Sequence, residues 1–104
     1  FPQNMPAIWY VHFGFVQTEL QFPLWVGEWG GRYDAPNAAQ GDDLWHEALT
    51  AYLLEHSIGS FYWCLNPNSG DTGGLLQGDW RTPEQSKLDL LAQFPSTNVR
   101  DLLA

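Results

Sequence analysis

A parallel α/β fold is predicted by three observations. Two short apolar runs, Leu24 to Glu28 and Ser60 to Leu65, lack polar alternation; helical periodicity precedes, separates and follows them; and each run opens into a long Gly-, Pro- or Asn-rich loop. Unbroken apolarity suits strands covered on both faces, as in parallel sheets, whereas strands with one wet face alternate. The order α-β-α-β-α places a right-handed crossover between the two strands.

The first helix is expected from Asn4 to about Leu20. Asn4 is placed to cap it, Pro6 falls in the first turn, and Ile8, Trp9, His12/Phe13, Val16 and Leu20 recur at helical spacing. A Phe22-Pro23 break precedes the first strand. Residues 29–41 form a turn-rich loop, after which Asp42 and Asp43 open a second helix where partial positive charge favours acids. Leu44, Trp45, Ala48, Leu49, Tyr52 and Leu53 supply its apolar stripe, and Ser57-Ile58-Gly59 ends it. After the second strand, a loop from Asn66 to Trp80 leads to a third helix. Thr82 and Gln85 stand in capping-box spacing at its start. A short helical turn is expected from Asn98 onward.

Two parallel strands have two open edges and little apolar face, too little for stability in isolation. The chain therefore reads as a piece of something larger, although its 104 residues would suffice for one domain. The composition is that of a packed protein, 44% hydrophobic with six Trp. A net charge of −8, from 12 acids against four bases, argues against nucleic acid and against an anionic membrane surface. No apolar run approaches the roughly 18 residues of a membrane span. The single cysteine, Cys64, rules out an internal disulfide and a cysteine-based zinc site. A neutral polymer such as a polysaccharide fits this charge without conflict.

Glu28 is the sharpest chemical feature. It ends a buried-type strand just before Trp29-Gly30-Gly31, and in parallel α/β folds that end of the strand is where active sites are built. Position alone fits an active-site carboxylate and an ordinary strand-end glutamate equally well. Trp63 holds the corresponding place on the second strand, where an indole either stacks on a sugar ring or packs in a core. The loop Asn66 to Gly74 is rich in oxygen ligands but fails the calcium-loop pattern: counted from Asn66, Gly70 is fifth, Asp71 sixth and Gln77 twelfth. His46-Glu47-Ala48-Leu49-Thr50 starts like a metalloprotease helix, but Thr50 stands where the second His is needed. His12, His46 and His56 lack ligand spacing and read as surface or helix-face residues. No metal and no cofactor is expected.

Pro23-Leu24-Trp25-Val26-Gly27-Glu28-Trp29-Gly30-Gly31 resembles the seventh-strand signature of glycoside hydrolase family 5, the cellulase-type endoglucanases. Phe61-Tyr62-Trp63-Cys64-Leu65-Asn66-Pro67-Asn68-Ser69-Gly70-Asp71-Thr72-Gly73-Gly74-Leu75-Leu76 resembles the eighth strand and following loop, and Asp79-Trp80 its continuation. Asn4 to Trp9 with His12-Phe13-Gly14 resembles the preceding helix. The resemblance is collinear through nearly the whole chain. It implies a (β/α)8 TIM barrel of which residues 1–104 are the C-terminal part, about strands seven and eight with flanking helices, incomplete as given.

The resemblance further implies retaining hydrolysis of β-1,4-glucan by double displacement. Glu28 would be the nucleophile and Trp63 the floor of the subsite for the attacked sugar, with Asn66, Asp71 and Thr72 shaping the cleft or meeting sugar hydroxyls. The family's acid/base lies in an Asn-Glu-Pro-type motif absent here. Asp34 and Asp71 are the loop acids nearest in sequence logic to Glu28, and neither is assigned that role. The expected partners are a β-glucan polysaccharide or oligosaccharide and the remaining barrel strands, from the same or a companion chain. Secretion follows from the resemblance alone. The alternative is a non-catalytic glucan-binding or decoy fragment that keeps the aromatic platform without the chemistry.

Overall fold

A computed structural model of the chain describes residues 1–33 and 41–103. Helix α1, Met5–Trp9, continues through a wide π-helical turn, Tyr10–Gly14, into α2, Phe15–Thr18. Pro6 sits in the first turn, where its missing N–H leaves no helical bond unmade. Asn4 does not cap: its backbone is already helical, with φ −86°, and its side chain makes no cap hydrogen bond. Met5 donates its N–H to the Pro2 carbonyl at 2.9 Å instead. The π turn rotates later positions away from the expected stripe. Trp9 and Gly14 are buried, while Leu20 lies past the helix end and is exposed.

Strands β1, Trp25–Trp29, and β2, Gly59–Tyr62, pair in parallel, as expected. Helix α3, Asp42–Glu55, makes the crossover, with Asp42 and Asp43 in its first turn. Gly41 takes the N-cap position in the left-handed region, φ 82°. Helix α4 spans Gln85–Leu91 and α5 spans Val99–Leu102. Asn98 caps α5 by accepting the Arg100 N–H at 2.9 Å. The capping box expected at Thr82 and Gln85 does not form. Asp79 makes a tight turn that takes the N–H groups of Arg81 and Thr82 at 2.9 and 2.8 Å and the Thr82 hydroxyl at 2.5 Å. Thr82 is thereby committed to that turn, and the Gln85 amide donates to Asp89 at 2.6 Å.

One buried cluster contains Trp9, Trp29, Leu49, Tyr52, Leu53, Ile58 and Leu90. Helix α3 is its centre: of the expected stripe, Leu49, Tyr52 and Leu53 are buried and Trp45 and Ala48 pack against the cluster, while Leu44 is exposed and His46 and Thr50 are buried beside it. Tyr52 seats the first helical segment: the Trp9 ring lies 5.4 Å away and Phe13 meets it edge-on at 5.9 Å. Gly14 passes against the Tyr52 hydroxyl, where a Cβ would come within 2.2 Å.

The strands are less covered than their apolarity suggests. Trp25 and Phe61 are 69% and 57% exposed and meet as a tilted ring pair with centroids 5.7 Å apart. The fold is a slab of 45 × 44 × 19 Å with a radius of gyration of 15.0 Å, against about 13 Å for a compact domain of this size. A 19 Å thickness leaves room for one helical layer beside the sheet, since a helix with its side chains is about 10–12 Å across. Among the described residues, no helix is long and apolar enough to cross a membrane.

Uncovered aromatics and open strand edges give the purified chain a drive to associate. It is expected to self-associate, bind an apolar dye and unfold over a broad temperature range. Sedimentation velocity with calorimetry checks this, and a monodisperse monomer with a sharp transition would contradict it.

Candidate active site

The strand register aims the carboxylate. Pairing runs Trp25↔Gly59, Val26↔Ser60 and then Trp29↔Tyr62, so β1 takes three steps where β2 takes two. The extra residue makes a bulge at Gly27-Glu28, a feature that kinks a strand and redirects a side chain. Glu28 is exposed near the carboxyl end of β1.

The two strands close on one short hydrogen bond, from the Trp63 N–H to the Trp29 carbonyl at 2.7 Å. Just beyond it the chain leaves β1 through a gap that only glycine fits. A Cβ on Gly30 would stand 2.1 Å from the Trp63 carbonyl oxygen, and one on Gly31 would stand 2.7 Å from Cε1 of His46. Trp63 follows β2 directly, joined to Cys64 by a cis peptide, and is 46% exposed. Cys64 is a buried free thiol.

The loop after β2 is held by its own hydrogen bonds. Ser69 Oγ donates to Asp71 at 2.7 Å and lies 2.6 Å from the Thr72 hydroxyl, and the Thr72 N–H reaches Asp71 at 2.9 Å. The Ser69 hydroxyl, with backbone N–H groups of the turn, holds the Asp71 carboxyl below the usual range. The Asn66 amide donates to Asn68 at 2.5 Å.

Behind the strand ends lies a residue whose surroundings the sequence did not disclose. His46 is fully buried, not on the surface, among the rings of Trp29, Tyr33, Trp45 and Tyr62. Its Nδ1 lies 2.7 Å from the Asp42 carbonyl, an acceptor, so Nδ1 carries the proton. Nε2 then accepts from the Tyr62 hydroxyl at 3.2 Å. Burial lowers the His46 pKa and raises that of Tyr62 to about 12, so both stay in the neutral forms this bond requires.

Glu28, Trp63, Asp71 and Thr72 line one open crevice of about 380 Å³, together with Trp9, Phe13, Trp29 and Trp45. The structure thus brings four of the five expected site residues together and leaves Asn66 outside. Asp34 lies outside the described residues. A larger groove of about 590 Å³, running past Trp25, Leu53, Phe61 and Phe94, has no charged lining residue. The smaller crevice, which carries the Glu28 and Asp71 carboxylates, is the candidate site. Among the described residues no group of three His, Cys, Asp or Glu could hold a metal ion.

A carboxylate and an exposed indole at the carboxyl ends of adjacent parallel strands define a strand-end site of the α/β type. No protein-family model matches the chain. It is 50% identical over 93 residues to the major extracellular endoglucanase of Xanthomonas campestris pv. campestris, covering 88% of this chain and 18% of that protein. Identity to an endoglucanase of Paenibacillus polymyxa is 43% over 94 residues, 90% of this chain and 23% of that one. The fold superposes on an endocellulase from Pyrococcus horikoshii solved with cellotetraose, with a TM-score of 0.81 and 42% identity over 89% of this chain and 25% of that one. The catalytic domain of the Xanthomonas enzyme gives a TM-score of 0.77 at 49% identity, over 88% of this chain and 25% of that domain's chain. The homologues are endoglucanases, and the chain spans 18–23% of the length of these curated relatives.

The buried, neutral His46 makes stability depend on pH. Its folded pKa lies below the unfolded value of about 6.5, so below that pH the unfolded chain binds a proton the folded one resists. Stability is expected to fall as pH drops through about 6.5 and to level off once the folded form is protonated too. Urea midpoints at pH 7.5 and 5.5 check this, with His46→Gln losing most of the dependence. An unchanged slope in His46→Gln would contradict it.

Proposed function

We propose that residues 1–104 are the C-terminal portion, about strands seven and eight with flanking helices, of a (β/α)8 catalytic domain of the glycoside hydrolase family 5 type. The proposed activity is that of a retaining endo-β-1,4-glucanase. The observation that carries this reading is the shared crevice: Glu28 and Trp63, at the ends of two parallel strands, in a chain 42% identical to an endocellulase solved with cellotetraose. The small fraction of each relative that the chain covers and its uncovered strands support the quarter-barrel reading. The remaining strands come from the same or a companion chain.

In this reading Trp63 stacks on the sugar and Glu28 attacks its anomeric carbon, forming a glycosyl-enzyme bond as the C–O bond to the leaving sugar breaks. Water then hydrolyses the intermediate, and two inversions give net retention. The departing oxygen needs a proton, and Asp71 is a poor source because the Ser69 hydroxyl and backbone N–H groups stabilise its ionised form. By the family resemblance the acid/base belongs to the other strands, as the second of the two carboxyl groups about 5–5.5 Å apart that retention requires. In this reading Asp71 and Thr72, which line the crevice, meet sugar hydroxyls, and Asn66 shapes the loop from outside it. A relative named as extracellular supports secretion.

The chain alone is expected not to cleave soluble β-1,4-glucan, because general acid assistance, typically worth about 10²–10⁴-fold, is missing. The complete barrel is expected to release product with retained anomeric configuration. Glu28→Gln in that barrel should lower kcat by on the order of 10⁴-fold or more, the scale of losing a nucleophile. Product anomers followed by NMR decide it. Inverted product, or full activity in Glu28→Gln, would overturn the nucleophile assignment.

A further inference from the structure

The crevice wall carrying Asp71 and Thr72 has no helix or strand of its own, so something must fix it from behind. Lys87 of α4 is only 4% exposed, an unusual place for an ammonium group unless donors find partners. Its Nζ donates to the Thr72 carbonyl at 2.8 Å and to the Gly74 carbonyl at 3.2 Å, and lies 6.0 Å from the Tyr62 ring centroid. Arg32, immediately after the Gly30-Gly31 passage, donates Nη2 to the Gly70 carbonyl at 2.9 Å.

Alternate carbonyls of the loop, at 70, 72 and 74, are therefore held by two cations from two other parts of the fold. Gly73 sits between them with φ 62°; a Cβ there would lie 3.4 Å from Arg32 Nη1 and 3.5 Å from Lys87 Nζ. We infer that Lys87, with Arg32, is a positioning residue: it touches no substrate, but it sets the crevice wall from which Asp71 and Thr72 reach sugar hydroxyls. The chain has only four basic side chains, and two of them are committed to this one loop. Tyr62 ties the clasp to the strand ends, since its ring faces Lys87 and its hydroxyl bonds to His46.

The structural part stands on these distances, and the kinetic part rests on the proposed glucanase reading. Lys87→Met keeps the apolar stem and removes the donors. In this chain, hydrogen exchange is expected to accelerate at least tenfold at the Gly73 amide, bonded to the Ser69 carbonyl at 2.8 Å, with the α3 amides unchanged. Arg32→Met, at a less buried site, should loosen the same loop from the Gly70 side. Equal acceleration in α3, or no change at Gly73 in both variants, would overturn the clasp. In the complete barrel, Lys87→Met should raise KM for cellotetraose about tenfold with kcat within about twofold, the pattern of lost uniform binding. Lys87→Arg, which keeps the donors, should recover most of it. A loosened loop with unchanged KM would overturn the positioning role. A native barrel with no glucanase activity would defeat the proposed function, while the exchange result still decides the clasp.

Discussion

The structure turns on how closely β1 and β2 approach at their carboxyl ends. The 2.7 Å bond from Trp63 N–H to the Trp29 carbonyl closes the ladder, and Gly30 then slides past the Trp63 carbonyl with no space for a side chain. That contact fixes Trp63 relative to Glu28, since each lies within two residues of it. It also places Gly31 over His46, so the strand ends rest on a buried polar pair, His46 and Tyr62, which bonds in turn to the first turn of α3. A methyl group at Gly30 would force the two strand ends apart, and steric conflict in a packed interior typically costs about 1–3 kcal/mol.

Much of this was legible because strands and helix faces write themselves as periodicity. Both strands, the parallel pairing, the crossover helix from Asp42 and the helical turn from Asn98 follow from local pattern. Glu28 and Trp63 were legible as strand-end residues, and the crevice they share follows from parallel pairing. What local pattern missed was decided by competition or by distant neighbours. Thr82 had the right spacing for a capping box, but Asp79, three residues before it, takes both its N–H and its hydroxyl. Leu20 had the right period for the first helix, but a π turn breaks that period. His46 looks like a helix-face histidine because nothing near it in sequence reveals Trp29, Tyr33 and Tyr62 around it. The bulge at Gly27-Glu28 had a faint signal, a glycine inside a strand.

Charge explains the division of labour around the crevice. The chain is strongly acidic, which suits a neutral polymer and leaves few cations for structure. Arg32 and Lys87 both donate to backbone carbonyls of the Ser69–Gly74 loop. Asp71, ringed by donors, is stabilised as an anion and suited to accepting from hydroxyls. Glu28 is the other carboxylate that lines the crevice.

The most direct test of the central claim is to trap the covalent intermediate. The complete barrel, incubated with a 2-deoxy-2-fluoro cellobioside carrying a good leaving group, would be digested and mapped by tandem mass spectrometry. The account predicts one glycosyl adduct, on Glu28, absent from Glu28→Gln. An adduct on Asp71 or another carboxylate, or an active barrel that accumulates no adduct at all, would contradict it.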